Sequence, residues 1–249
     1  MFVLASALLE QSEVYVSVVI PVHNDAELLP RALDSAIAQT LPNMEIVVVD
    51  DGSSDGTPEV IKRYVKIDPR VRPLTLETNQ GTFVARSTGV RAAQGRYVLF
   101  LDADDSLASE KTAYATFKRA NATGANVLHF NEIGHLDDLV KLYDWANPTL
   151  YDERKRPGAL KWFLQTGRGT ALHGKLIERA ALLRVLDVIG EEPAKRRLQY
   201  CEDILVMILI YATAEKYVGF NFSGYNYYFR WGSVTGQAHL NDTKALAMA

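Results

Sequence analysis

Cysteine is almost absent from this 249-residue chain. Cys201 stands alone, so no internal disulfide can form, and such a composition suits a reducing compartment. Long apolar runs are absent too. The longest, Ile204 to Ala212, falls far short of the roughly 20 residues that span a bilayer. Met1 to Leu9 is apolar but has no basic flank and runs into Glu10 and Glu13, which makes a poor secretion signal. The resulting expectation is a cytoplasmic protein without a transmembrane helix, with peripheral attachment to the inner face of a membrane left open.

An excess of positive charge is likewise missing. Lys and Arg number 27 against 30 Asp and Glu, a net charge of −3, which speaks against nucleic acid as a partner. The basic runs Arg154 to Arg156 and Lys195 to Arg197 read as solvated loops. No Cys/His constellation for zinc is present. Nor does Gly-x-Gly-x-x-Gly follow the first β-rich run, where Pro21 and His23 stand instead, so a dinucleotide cofactor is disfavoured. With no repeat, low-complexity stretch or clear linker, one domain over 1–249 is the economical expectation, its oligomeric state open.

What is present is alternation. Val16 to Ile20, Glu45 to Val49, Val71 to Leu76 and Tyr97 to Leu101 are β-rich runs, the first two continuous enough to be covered on both faces. Between them, Leu28, Leu29, Ala32, Leu33, Ala36 and Ile37 recur at helical spacing behind a cap at Asn24 or Asp25. Thr57-Pro58 opens a helix to about Lys66, and Thr82 to Ala93 forms another. The pattern predicts an α/β fold with a mostly parallel central sheet and helices on both faces. After Asp105 it loosens. A helix follows Ser109, a strand covers Asn126 to Phe130, and helices are expected near Pro157 to Gln165, Glu178 to Leu186 and Cys201 to Tyr211. The aromatic stretch Tyr217 to Arg230 is β-prone.

Ligands of open α/β sheets sit beyond the carboxyl ends of the strands. Polar residues gather there: His23-Asn24-Asp25, Asp50-Asp51-Gly52-Ser53, Asn79-Gln80-Gly81 and Asp102-Ala103-Asp104-Asp105. Asp102 and Asp104, two apart at a strand end, point to one side and can share a hard cation, Mg²⁺ or Mn²⁺. The plainer alternative is that Asp104 and Asp105 cap the next helix. Asp51 could accept hydrogen bonds from a base or ribose, while Asp50 and Asp55 suit turn bonds.

Three segments together, Val16-Ser17-Val18-Val19-Ile20-Pro21-Val22-His23-Asn24, Val47 through Thr57 and Ala92 through Asp105, resemble family-2 glycosyltransferases with the GT-A fold. The resemblance implies an inverting transferase that uses a nucleotide-diphosphate sugar, usually UDP-linked, with a divalent metal. It implies a saccharide or lipid-linked saccharide acceptor in bacterial polysaccharide or glycoconjugate synthesis. The chain then divides into a nucleotide-binding half (1–107), an acceptor half (108–236) and a tail (237–249).

By the same resemblance Pro21 and Val22 present backbone to the base, with His23 where the family has tyrosine and Asn24 following. Asp51 holds the uracil. Asn79 and Gly81 form the loop beside the nucleotide, joined by Arg86, with Ser87 replacing the usual asparagine. Asp102, next to Ala103, contacts ribose or metal, and Asp104 is the principal metal ligand. Asp203 is the base that deprotonates the acceptor, with Glu202 positioning. Inverting transfer needs such a carboxylate opposite the leaving diphosphate. Helix capping is the alternative for this acidic pair.

Arg230 and Ser233 resemble a C-terminal segment that closes over the diphosphate, although an exposed sheet-end arginine reads equally well. Lys175, in His173-Gly174-Lys175-Leu176, is a candidate for acceptor or phosphate, against a surface lysine. His129 and His135 read as ordinary histidines. Trp145, Tyr151, Trp162 and Phe163 suit core packing better than a sugar-stacking groove. Two rivals remain. A nucleotidyltransferase would want a basic glycine-rich first loop, which Pro21 to Asp25 lacks. A non-catalytic nucleotide-sugar-binding subunit would not need both Asp104 and Asp203.

Overall fold

The computed structural model describes residues 13–136, 140–145, 153–155, 158–166, 169–190 and 202–230. The first hundred residues alternate strand and helix: β1 (Val16–Val22), α1 (Leu29–Ile37), β2 (Met44–Asp50), α2 (Thr57–Ile67), β3 (Val71–Thr75), α3 (Thr82–Ala92) and β4 (Tyr97–Phe100). Then come β5 (Ser106–Leu107), α4 (Thr112–Thr123), β6 (Val127–Leu136), β7 (Val140–Trp145), β8 (Glu153–Lys155), α5 (Gly158–Thr166), β9 (Lys175–Glu178), α6 (Arg179–Ile189), α7 (Glu202–Thr213) and β10 (Lys216–Phe229).

One sheet carries them in the order β3-β2-β1-β4-β9-β6-β10-β5, with β7 on β6 and β8 on β10. The expected parallel character holds from β3 to β4 and again between β6 and β10. Elsewhere pairing is antiparallel: β9 enters between β4 and β6 running the opposite way, and β5, β7 and β8 each run against the strand they pair with. The sheet is therefore mixed.

Strand alternation builds two cores. Val16, Val18 and Ile20 of β1 face one, with Leu29 and Leu33 of α1 and Ile61 of α2. Val19, Val47, Val49, Val98 and Phe100 face the other, under α3, α5, α6 and α7. Trp162 and Phe163 belong to this second core, as core packing predicts. Each fully buried Val, Leu or Phe contributes roughly 1.5–3 kcal/mol, so the two-sided burial of β1 and β2 fixes their register firmly.

Helix starts depart from expectation at α1. Neither Asn24 nor Asp25 caps it through a side chain; the helix begins beyond a turn, with Leu28 in the N-cap position. Asn24 instead adopts a left-handed backbone (φ 51°) and its Oδ1 accepts the Ser54 N–H at 2.8 Å. At α2, Pro58 occupies the first turn as predicted, while Asp55 Oδ1 accepts the Thr57 N–H at 2.9 Å. Among the described residues no helix is long and apolar enough to cross a membrane.

Candidate active site

The ends of β1, β2, β3 and β4 converge on one rim, with three loops in contact. Pro21 lies beyond the last β1–β4 pair, Val19 with Phe100, so its missing N–H costs no ladder bond to β4. The Val22 carbonyl accepts the Asp51 N–H at 2.8 Å, and His23 Nδ1 lies 2.8 Å from the Asp51 carbonyl. Asn24 N–H donates to Ser53 Oγ at 2.9 Å. Pro21, Val22, His23 and Asn24 thus line one wall with the 51–54 turn as the other.

Asp51 is only 3% exposed, and its two carboxylate oxygens accept the N–H groups of Gln80 and Gly81, each at 2.8 Å. Its first task is therefore to shape the Asn79-Gln80-Gly81 loop; the remaining lone pairs stay available to a ligand. Gly52 permits the approach. With φ 68°, a Cβ there would stand 2.6–2.8 Å from the backbone of Thr78 and Asn79. Gly81 (φ 94°) takes the N-cap position of α3.

Arg86, 8% exposed on α3, joins the strand-end cluster to the acidic pair opening α7. One guanidinium nitrogen donates to Asp102 Oδ1 at 2.6 Å, the other to Asp203 Oδ1 at 2.6 Å and Glu202 Oε1 at 3.4 Å. Burial alone would lower the Arg86 pKa; Asp102 and Asp203 outweigh it and hold it above its ordinary value. For Asp102 burial pushes up, while Arg86 and then His173 bring it below the usual carboxylate range. Burial also raises Glu202. The other oxygen of Asp203 accepts the Leu172 N–H at 3.1 Å, which fixes both ends of that carboxylate.

Asp104 and Asp105 divide their work. Asp104, beside the buried Ala103, turns to Arg230, whose guanidinium stands 2.5 Å from it and 3.8 Å from Asp25. Arg230 is therefore no solitary sheet-end charge. Asp105 is 1% exposed and accepts the Tyr225 O–H at 2.7 Å and the Tyr228 N–H at 2.8 Å. Burial first, then Asp104 and Asp102, push its pKa well above the ordinary value. The Tyr225 hydroxyl also accepts the Asp102 N–H at 3.2 Å.

Lys175 requires a correction. The sequence reading placed it at an acceptor, a phosphate or the surface; it is 1% exposed, and its Nζ donates to the carbonyls of Ala171 at 2.6 Å and His173 at 3.4 Å. As the first residue of β9, between β4 and β6, it points into the protein and ties down the 171–174 loop. Burial lowers its pKa to about 8.

That loop also carries a buried ion pair with no predicted counterpart. His173 Nδ1 lies 3.0 Å from Glu132 Oε1, and the ring stacks near Tyr225 and Tyr227, centroids 5.0 and 5.7 Å away. Glu132 and His173 stand 41 residues apart and meet only through β6–β9 pairing, so no local pattern could announce them. His129 is a buried core histidine bonded to the Tyr217 hydroxyl at 2.7 Å, and His135 stacks on Tyr228. Ser233, Cys201, Tyr151, Arg156 and the Lys195–Arg197 run lie outside the described residues, as do the side chains of Trp145, Arg154 and Lys155.

The chain is similar to known proteins. The family model for glycosyl transferase family 2 matches residues 17–179. Glycosyltransferase GlyA of Streptococcus pneumoniae serotype 4 is 31% identical over 232 residues, covering 88% of this chain and 31% of that protein. Succinoglycan biosynthesis protein ExoO of Rhizobium meliloti is 39% identical over 112 residues, 45% of this chain and 31% of its own. The chain thus spans about a third of the length of these two relatives.

Among solved structures, S. aureus TarS 1-349 in complex with UDP-GlcNAc superposes with TM-score 0.68 at 22% identity, over 88% of this chain and 60% of that one. Mannosyltransferase PcManGT from Pyrobaculum calidifontis, in complex with GDP-Man and Mn²⁺, gives 0.61 at 18% identity, over 96% and 66%. These likenesses bear on the fold, which is GT-A. With the family model spanning 17–179, the chain belongs to glycosyl transferase family 2.

Proposed function

We propose that this glycosyltransferase moves a sugar from a UDP-linked donor to an acceptor hydroxyl, with inversion at the anomeric carbon. The observation that carries the reading is Arg86, which holds Asp102 and Asp203 on one guanidinium and so sets a strand-end carboxylate beside a second one on α7. Pro21, Val22, His23, Asn24, Asp51, Asn79, Gly81 and Ala103 form the cradle for the nucleotide. UDP-GlcNAc in the TarS complex supports a UDP-sugar, and the names of relatives such as ExoO support a place in polysaccharide synthesis, where the acceptor would be a saccharide or a lipid-linked saccharide.

Asp104 and Asp102 would hold a divalent cation. The residues fit one: the Arg230 guanidinium already lies as a positive charge between the carboxylates of Asp104 and Asp25. Among the described residues no three Asp, Glu, His or Cys side chains are grouped so as to hold a metal ion. An ion would therefore lean on two carboxylates and the donor's phosphates, the habit of Mg²⁺ and Mn²⁺. When bound, such an ion supplies charge neutralisation at the leaving diphosphate.

The protein's own residues do the rest. Asp203 accepts the acceptor's hydroxyl proton as that oxygen bonds the anomeric carbon. The bond from that carbon to the β-phosphate oxygen breaks, and its electron pair leaves with the diphosphate. Arg86 and the Leu172 N–H hold Asp203 against rotation, and Glu202 positions Arg86 through the same guanidinium nitrogen that meets Asp203. Hydrolysis or transfer assays on UDP-sugars with Mn²⁺ test this. Asp203→Asn is expected to slow turnover at least ~10²-fold, as loss of a general base does, while UDP affinity stays near wild type. An undiminished rate would place the base elsewhere.

A further inference from the structure

We propose that His173 faces the transferred sugar, hydrogen-bonds one of its hydroxyl groups through Nε2, and so helps select the donor. The inference rests on the transferase reading and adds a specificity-determining residue to it. Position comes first. The preceding residue, Leu172, gives its N–H to Asp203, while the His173 ring stacks 5.0 Å from that of Tyr225, whose hydroxyl meets the Asp102 N–H and the Asp105 carboxylate. His173 therefore occupies the interval between the base and the strand-end carboxylates, which is where an anomeric carbon under in-line attack must sit.

Preorganisation comes second. Nδ1 is bound to Glu132, so the opposite nitrogen is the one left to face outward, and among the described residues nothing hydrogen-bonds it. A carboxylate behind a histidine fixes ring orientation and the identity of the proton-bearing nitrogens. The stacked rings of Tyr225 and Tyr227 restrict its tilt. Gly174 (φ 65°) lets the loop pass Glu132 at all, since a Cβ there would come 2.0 Å from Glu132 Oε1.

Charge comes third. Burial would lower the His173 pKa, but Glu132 and then Asp102 and Asp105 raise it to about 9. A sugar hydroxyl both donates and accepts, so a ring nitrogen fixed this firmly, with no partner among the described residues, suits it whether or not Nε2 bears a hydrogen. Glu132 and His173 otherwise serve no step of the transfer.

Calorimetry tests the proposal on the full chain with UDP and with UDP-glucose, UDP-galactose, UDP-GlcNAc and UDP-GalNAc. His173→Leu is expected to leave UDP affinity within about twofold while weakening the preferred UDP-sugar about tenfold, as loss of a hydrogen bond that leaves its partner unpaired does. The rank order of the four sugars should change as well, a readout that a merely structural histidine would not move. Should His173→Leu fail to fold, the neutral pair His173→Gln with Glu132→Gln carries the same comparison. Parallel losses for UDP and UDP-sugars, or an unaltered rank order, would overturn the role of His173 alone. A wild-type protein that binds none of the four sugars would overturn the transferase reading and this inference with it.

Discussion

Arg86 is the residue on which the site turns. Its guanidinium serves three carboxylates from two stretches of chain, and removing it leaves them facing one another in a partly buried space. Breaking a buried ion pair from one side costs about 3–5 kcal/mol. Arg86→Met is therefore expected to lower urea stability by that order and to abolish transfer. Arg86→Lys should recover part of the stability but little turnover, because a single ammonium cannot reproduce the planar fork.

The loop beside it makes stability depend on pH. His173 titrates at about 9 in the folded chain against an ordinary 6.5, so its contribution is complete below 6.5 and is lost as pH rises through 9. Lys175, lowered to about 8 from 10.5, acts in the opposite sense between those values. The net decline should thus fall between pH 6.5 and 8 and be on the order of 2 kcal/mol. Denaturant midpoints across that range should show the slope in wild type and lose it in the His173→Gln, Glu132→Gln pair.

At the scale of elements, α3 joins nucleotide loop to core. It starts at Gly81, carries Arg86 in its middle and packs so tightly at Gly89 that a Cβ would stand 2.4 Å from Val19 Cγ1 and 3.3 Å from Val49 Cγ2. Both valines are fully buried and stiff. Gly89→Ala gains about 1 kcal/mol in helix propensity but overpacks a core at a cost of about 1–3 kcal/mol. The expected result is net destabilisation that Val19→Ala relieves, a positive coupling in a double-mutant cycle. Elements of this kind were legible in the sequence. β1, α1, β2, α2, β3, α3 and β4 each bury apolar residues at their own period against immediate neighbours, so local pattern sufficed. β9 has no counterpart in the sequence pattern, because four residues between two strands that both run against it carry no period of their own. The two-residue β5 is shorter than any pattern.

Across the molecule, the same division between near and distant contacts explains the rim. The clusters at Asp51 and Asp102 could be read because the strands that aim them are consecutive βα units. Their partners could not, since β10 supplies Tyr225 and Tyr228 and leads into Arg230, some 120 residues from the carboxylates they bind. The end of the described chain thus completes a site begun at its start. One consequence concerns the cation. With Arg230 seated against Asp104, a divalent ion arriving without nucleotide must compete with a guanidinium already in place, whereas a diphosphate would give that guanidinium an alternative partner. Arg230→Ala should therefore tighten Mn²⁺ binding several-fold in the absence of UDP, measured by titration of free Mn²⁺ in electron paramagnetic resonance, and weaken UDP binding in its presence. Asp104→Ala should lose Mn²⁺ binding in both conditions. Weaker Mn²⁺ binding in Arg230→Ala without nucleotide would mean that the arginine supports the acidic rim and does not compete for it.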